Sequence, residues 1–261
     1  HNDGFAYRYL DVTTGDTERV TVLMEKSEVA LPMNIRVWSF GLNGTYEGTY
    51  EKRDYSQLRS LSQKLCTPVL VKIGENWMLL TEAGALNNDG QYCTSALQTK
   101  SGSVTLNWCF GLRRDPARES KGEVDSPGHL DIKTLETVNG FDTLWRVAVI
   151  ADDLNELINT SLIADLNPPA DEELFADVSY IKPGKVAWSW WAEGSYTGVY
   201  DKHIEYIDFA AENGWDHICM DADWRFFEHR LAEICDYAKN KGIGVFVWVN
   251  YRDLKDKDAM E

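Results

Sequence analysis

The sequence contains few cysteines, few basic side chains and no long apolar run. Its five cysteines, among 261 residues, are scattered and show neither a disulfide framework nor the short spacing of a zinc site. Acidic residues outnumber basic ones by 42 to 26, and the net charge of −16 disfavours binding to nucleic acid or to an anionic membrane. No stretch approaches the roughly 18 apolar residues that a membrane span needs. We therefore expect a soluble globular protein, periplasmic or secreted, whose signal peptide is not in the chain.

Residues 1–170 are composed of short β-rich segments separated by Gly, Asn and Asp, a pattern typical of an antiparallel β-sandwich. The segments are Arg19–Met24, Asn34–Trp38, Pro68–Ile73, Trp77–Thr81 and Leu144–Ile150. The short turn at Glu75 and Asn76 predicts a hairpin between Val69–Ile73 and Trp77–Thr81. Leu154–Leu166 is predicted to be helical, and the prolines that follow it predict a linker over residues 171–181.

Residues 182–261 have a different pattern, in which short apolar strands alternate with amphipathic helices. The predicted strands are Val186–Trp191, His217–Met220 and Gly244–Val249, and the predicted helices are Asp201–Gly214 and Phe227–Lys241. Cys219 and Cys235 lie on apolar faces of these elements, so we expect both to pack in the core. This alternation predicts three parallel strands.

Three strands are fewer than a closed barrel needs, since a TIM-type barrel typically has eight strand–helix units in roughly 250 residues. The sequence predicts a β-super-sandwich followed by the first three β/α units of a (β/α)8 barrel, in a truncated chain. Parallel strands are normally covered on both faces, so the edge of the incomplete barrel is expected to favour self-association.

Several segments, in this order along the chain, resemble glycoside hydrolase family 97. They are Asp3–Tyr9, Trp77–Ala85, Leu144–Val147, Asp165–Pro169, Tyr180–Lys185, Trp188–Trp191 and Tyr206–Gly214. The resemblance extends over almost the whole chain. It implies an amino-terminal β-super-sandwich joined to a catalytic barrel that hydrolyses α-glucosides or α-galactosides.

The resemblance also implies that the catalytic carboxylates lie on later barrel strands, beyond Glu261, so that the chain alone is inactive. Glycoside hydrolysis needs two carboxyl groups on opposite sides of the bond. Asp221 and Asp223 belong to one strand end and cannot flank a glycosidic bond from both sides, which argues against their being this pair. Family members often carry aspartate where this chain has Ser189. The choice between glucose and galactose, and between retention and inversion, stays open.

Recognition of an oligosaccharide or another α-glycoside is the role that the resemblance implies for residues at the strand ends. The candidates are Asp221, Asp223, Trp191, Trp224 and Asn250. A carboxylate accepts hydrogen bonds from sugar hydroxyls, and an indole offers a flat apolar face to a pyranose ring. For Trp188, early in its strand, packing is favoured over a place in the pocket.

Glu82 is the candidate metal ligand, because the resemblance implies that the glutamate of Thr81-Glu82-Ala83 helps to bind calcium together with barrel glutamates. Calcium takes six to eight oxygen ligands, so one carboxylate cannot hold it alone. We therefore expect calcium in a full-length enzyme and weak or absent binding in this chain. The alternative is that Glu82 makes a salt bridge across a domain interface.

A non-catalytic carbohydrate-binding β-sandwich is the alternative function, since exposed aromatic side chains on such a fold can hold sugars without chemistry. Such a module would have no need of the β/α segments between Leu166 and Val249. Their presence favours a fragment of an exo-acting α-glycosidase.

Overall fold

A computed structural model describes residues 3–44, 46–85, 93–114, 129–131, 133–194 and 198–249. The chain divides into two compact units, His1–Ala170 and Asp171–Glu261. No helix among the described residues is long and apolar enough to cross a membrane.

The amino-terminal unit is built almost entirely from antiparallel strands. Its strands are β1 (Gly4–Tyr7), β2 (Arg19–Val22), β3 (Glu28–Ala30), β4 (Ile35–Ser39), β5 (Glu51–Asp54), β6 (Lys64–Cys66), β7 (Val69–Ile73), β8 (Asn76–Ala83), β9 (Cys93–Gln98), β10 (Thr105–Arg114), β11 (His129–Asp131), β12 (Leu135–Val138) and β13 (Trp145–Ala151). Three short helices accompany them: α1 (Tyr55–Ser60), α2 (Leu154–Ile158) and α3 (Leu162–Asp165).

These strands form a sandwich-like arrangement, as the sequence predicts. One sheet has the order β1-β13-β8-β7-β4-β5, and a second has the order β11-β10-β9-β6 with β3 also paired to β10. Strands β2 and β12 pair separately. Side chains from both large sheets share one buried cluster, for example Val37, Val71 and Leu80 from the first and Leu97 and Trp108 from the second. The predicted hairpin is confirmed as β7 and β8.

The predicted helix over Leu154–Leu166 is wrong in its continuity, because α2 and α3 are separate. Polar side chains bond to the backbone at the break. Asn159 Nδ2 donates to Asn155 O at 2.8 Å, beside the backbone bond from Asn159 N to the same oxygen, and Thr160 Oγ1 accepts from Leu162 N at 3.1 Å. Such local bonds compete with helix continuation. On the opposite side of the sheet from the shared core, Leu157 and Leu162 pack against Val147 and Val149 of β13.

The carboxyl-terminal unit alternates strands and helices. Its strands are β14 (Val186–Trp188), β15 (His217–Met220) and β16 (Gly244–Val247), and its helices are α4 (Ser189–Glu193), α5 (Tyr200–Glu212), a 3₁₀ helix (Ala222–Arg230) and α6 (Leu231–Asn240). The order in the sheet is β14-β15-β16, and both pairings are parallel. The predicted order of strand and helix, and the parallel direction, are confirmed.

Three predicted boundaries are wrong. The first strand ends at Trp188, because a short helix begins at Ser189 and ends at Gly194, whose φ of 50° suits glycine. Helix α6 begins at Leu231 rather than Phe227, since Phe227 has non-helical angles and turns its ring into the core. Strand β16 ends at Val247.

The prediction that both cysteines are buried is wrong for Cys235, which is exposed, whereas Cys219 is partly buried. In α6 the buried positions are Ile234 and Ala238, four residues apart on one face. Cys235 follows Ile234 by one residue and is turned about 100° away from that face.

The contact between α5 and α6 is predicted to weaken in acid. Asp208 accepts hydrogen bonds from Lys241 and from Tyr237 Oη, the latter at 2.8 Å, and these bonds lower the pKa of Asp208. A lowered pKa in the folded state adds stability that is present above the unfolded pKa and is lost as the pH falls through the folded value. In the Asp208→Asn variant, the melting temperature is expected to fall less steeply as the pH is lowered into the acid range than it does in the wild type. Asp236→Asn, at an exposed position of α6, is the control; an equally steep fall in Asp208→Asn would contradict the prediction.

Candidate functional site

The candidate sugar-binding residues follow the carboxyl ends of β14 and β15. Because these strands are parallel neighbours, their carboxyl ends lie at the same edge of the sheet. Trp188 ends β14, and Asp221 and Asp223 follow β15 directly. The structure thus brings together residues that are more than 30 positions apart in the sequence.

Asp221 is buried, with 8% of its surface exposed. Its Oδ2 accepts a hydrogen bond from Trp188 Nε1 at 2.7 Å, and its Oδ1 accepts one from Ala222 N, also at 2.7 Å. The carboxylate is therefore the N-cap of the 3₁₀ helix and at the same time ties the end of β15 to the end of β14. Both of its oxygens are engaged within the protein.

Asp223 lies two residues further along and is partly buried, near Gly198. Trp224 is also partly buried; its Nε1 donates to Trp248 O at 2.9 Å, and the guanidinium of Arg225 lies 5.5 Å from its ring centroid. This bond fixes the indole of Trp224 beside the end of β16. Of the two candidate aspartates, Asp223 is thus the less buried.

Two tryptophans stack beside the edge of β14. The rings of Trp188 and Trp191 have centroids 5.5 Å apart and an interplanar angle of 22°, and Trp191 is 80% exposed. Both line an apolar groove of about 680 Å³ between β14 and α5, together with Tyr206, Phe209 and Trp215. Trp191 thus presents an aromatic face to this groove.

Sequence reasoning placed Trp188 in packing and did not find its bond to Asp221. The sequence around Trp188 is apolar and does not identify a partner 33 positions away. Asn250, the remaining candidate at the end of the third strand, lies outside the described residues.

Glu82 belongs to the amino-terminal unit, where it forms part of a polar network between the two large sheets. Arg146 is directly opposite Glu82 in the β8–β13 pair. The Nε of Arg146 lies 3.1 Å from each carboxylate oxygen of Glu25, and its NH2 also contacts Glu25. Arg146 NH1 donates to Ser95 Oγ, and Ser95 N donates to Glu82 Oε2 at 2.5 Å. The network thus contains two carboxylates and one guanidinium.

Burial raises the pKa of Glu82, whereas the hydrogen bonds from Ser95 and the charge of Arg146 act in the opposite direction. Within the described part of the chain no group of three or more His, Cys, Asp or Glu side chains is arranged to hold a metal ion. Since calcium takes six to eight oxygen ligands, the described residues do not by themselves fit a calcium site. The assignment of Glu82 as one calcium ligand stays a prediction.

Residues 1–169 match the family model described as "Glycosyl-hydrolase 97 N-terminal". Two curated relatives align over nearly the whole chain. One, from Bacteroides thetaiotaomicron, is named retaining alpha-galactosidase and is 27% identical over 98% of this chain and 42% of its own length. The other, from Streptomyces bingchenggensis, is named probable retaining alpha-galactosidase and is 26% identical over all of this chain and 38% of its own. The chain thus spans about two fifths of these relatives.

Solved structures have a similar fold. A beta-arabinopyranosidase crystal structure superposes with a TM-score of 0.67 at 22% identity, over 95% of this chain and 39% of that one. A glycoside hydrolase family 97 enzyme from Pseudoalteromonas sp. strain K8, in complex with acarbose, gives 0.63 at 21% identity, over 94% and 38%. At these identities the likeness concerns the fold alone.

Proposed function

Because the chain belongs to glycosyl hydrolase family 97, we propose that a protein carrying it hydrolyses terminal α-galactosides with retention of anomeric configuration. The observation that carries the proposal is the alignment of 98–100% of the chain with two relatives named as retaining or probable retaining alpha-galactosidases. Retaining hydrolysis uses two carboxyl groups about 5 to 5.5 Å apart, one as nucleophile and one as acid and base. No described residue is assigned either role.

The parallel β/α units are proposed to belong to a (β/α)8 catalytic barrel. Support comes from the order β14-α4-α5-β15-α6-β16 with parallel pairing, and from Asp221 and Asp223 at the carboxyl end of a strand. That end of such barrels carries the active site.

Within this site we assign different roles to the two aspartates. Asp223 is assigned to accept hydrogen bonds from sugar hydroxyls, because it is only partly buried and follows the carboxyl end of β15. Asp221 positions the surrounding backbone, since both its oxygens accept bonds from Trp188 and Ala222. Trp191 and Trp224 supply apolar faces for the C–H groups of a pyranose ring.

Calcium is proposed as the cofactor of a protein carrying this chain, with Glu82 as one ligand and further carboxylates outside the described residues. A bound calcium ion would supply fixed positive charge at its site. Ser95 N and Arg146 hold the Glu82 side chain on the inner face of β8. A periplasmic or secreted location is proposed as well.

The test is hydrolysis of p-nitrophenyl α-galactoside by the purified protein carrying this chain, with the anomer released first followed by proton NMR. We expect the α-galactoside to be cleaved faster than the α-glucoside and α-galactose to form first. First release of β-galactose would show inversion. Sugar binding without any turnover would support the carbohydrate-binding module instead.

Replacement of Asp223 by alanine is expected to lower kcat/KM for the α-galactoside by about 10- to 100-fold, because a hydrogen bond to a charged group contributes about 1.5–3 kcal/mol. The melting temperature should stay close to that of the wild type, since the side chain is only partly buried. Asp236→Ala, at an exposed position of α6, is the matched control. Unchanged kinetics in Asp223→Ala would remove this residue from the site.

A further inference from the structure

We propose that the amino-terminal unit carries a sugar-binding site of its own, formed entirely by residues of that unit. The site is a recess of about 480 Å³ at one end of the six-stranded sheet. Its volume is within the range of small-molecule pockets, about 300–1,000 Å³. The lining side chains and backbone used below belong to Arg8, Gly84, Asp142, Thr143, Trp145 and Asn167.

The recess follows from the strand order. Strands β1, β13 and β8 are neighbours and antiparallel, so the end of β1 at Tyr7, the start of β13 at Trp145 and the end of β8 at Ala83 lie at the same edge of the sheet. Asn167 closes one wall: its Oδ1 accepts from Gly84 N at 3.1 Å, and its Nδ2 donates to Ile163 O at 2.7 Å. The wall is thus held by the protein's own hydrogen bonds and needs no ligand to form.

Arg8 and Asp142 form an oriented but open pair in this recess. The guanidinium carbon of Arg8 lies 4.7 Å from the centroid of the Trp145 ring, which holds the cation in place. Asp142 is fixed through Oδ1, which accepts from Asp11 N at 2.9 Å. The distance from Arg8 NH1 to Asp142 Oδ2 is 3.8 Å, too long for a hydrogen bond, and both side chains are about one third exposed. The Arg8 guanidinium and Asp142 Oδ2 therefore lie side by side without a hydrogen bond between them.

Further donors face the same recess. Among the described residues, nothing accepts a hydrogen bond from the guanidinium of Arg8 or from the indole N–H of Trp145. The hydroxyl of Thr143 accepts from Tyr9 N at 3.0 Å and keeps its own proton for donation. A partly enclosed surface that combines donors, a carboxylate acceptor and an indole suits a ligand with both donor and acceptor groups.

Adjacent hydroxyls of a sugar ring fit this arrangement. One hydroxyl accepts from Arg8, and its neighbour donates to Asp142, which spans the open distance between the two side chains. A free anion is disfavoured because the carboxylate of Asp142 lies beside the guanidinium of Arg8. A metal ion is disfavoured by the guanidinium and by the absence of a metal-binding cluster from the described residues. The chemistry favours a neutral monosaccharide unit.

The test measures the affinity of methyl α-galactoside and methyl α-glucoside by ligand-observed NMR on the protein carrying this chain. Asp223→Ala is used as the background, because it removes the charged sugar contact proposed near β15. We expect sugar binding to persist in this background and to weaken about 10- to 100-fold when Arg8→Ala or Asp142→Ala is added. Arg19→Ala, an exposed arginine on β2, is the matched control and should bind as the background does.

Three results would overturn the proposal. Affinity unchanged by both Arg8→Ala and Asp142→Ala would exclude the recess, as would loss of all sugar binding in the Asp223→Ala background. Displacement by acetate or by calcium at concentrations below that of the sugar would identify an ion as the occupant. The melting temperature of each variant shows whether it is folded. If either Arg8→Ala or Asp142→Ala has lost its fold, the affinity of the other variant tests the proposal. Hydrolysis is not part of the readout, so an inactive protein would contradict the proposed enzyme activity without touching this site.

Discussion

Replacement of Arg146 by alanine is expected to lower the free energy of unfolding of the amino-terminal unit by about 3–5 kcal/mol. The guanidinium and its partner Glu25 are both buried, with side chains 4% and 5% exposed. Removal of the arginine leaves the Glu25 carboxylate uncompensated between the two sheets, and it also removes the bond to Ser95 Oγ. Urea denaturation followed by circular dichroism measures the loss.

Two comparisons isolate the cause. Arg230→Ala removes the exposed pair with Glu233, whose side chains are 41% and 59% exposed, and should lower the free energy of unfolding much less. Glu25→Gln added to Arg146→Ala should restore part of the loss, since the buried group left behind is then neutral. A loss below about 1 kcal/mol in Arg146→Ala would mean that water reaches Glu25 in the variant.

The second large effect is expected for Asp221→Ala, which should destabilise the carboxyl-terminal unit by about 2–4 kcal/mol. The change leaves the indole N–H of Trp188 and the backbone N–H of Ala222 without their acceptor, and it removes the N-cap of the 3₁₀ helix. Asp221→Asn keeps one acceptor oxygen and should lose about half as much. Thermal unfolding followed by tryptophan fluorescence gives both values.

The alanine variants of Asp221 and Asp223 are therefore expected to change different properties of the protein. Asp223→Ala should change kinetics and leave stability close to the wild type, whereas Asp221→Ala should change stability first. An Asp221→Ala variant that melts with the wild type but loses sugar affinity would show that Asp221 is a sugar ligand and that its bond to Trp188 contributes little.

Local patterns in the sequence were sufficient for the order and direction of the elements. Strand β15 was predicted with its observed bounds, and helix α5 within about two residues, because apolar residues recur there at the period of each structure and Gly214 follows the helix. The helix Ser189–Glu193 was missed, because its tryptophans continue the apolar run of β14. Exposure of Trp190 and Trp191, 52% and 80%, is a property of the folded chain that the run does not reveal.

The sites were less accessible, since their contacts join distant parts of the chain. Arg8 and Trp145 are 137 positions apart, and Glu25 and Arg146 are 121 apart. Antiparallel pairing of β1 with β13 brings the first pair together, and the packing of the two sheets brings the second. Neither strand pairing nor sheet packing produces a local spacing in the sequence. These polar contacts between distant residues are therefore visible only in the structure.

The Arg146–Glu25 pair also has a consequence for folding. In the observed alignment Arg146 is opposite Glu82 and faces the other sheet, while Val147 and Val149 face the helices α2 and α3. A slip of one residue between β8 and β13 would turn Arg146 toward the apolar side and Val147 toward the carboxylates. An unpaired buried charge costs several kcal/mol. A shifted register would therefore be unfavourable on both faces of the sheet at once. The ion pair thus favours the observed register of β8 and β13 over shifted registers as the sandwich folds.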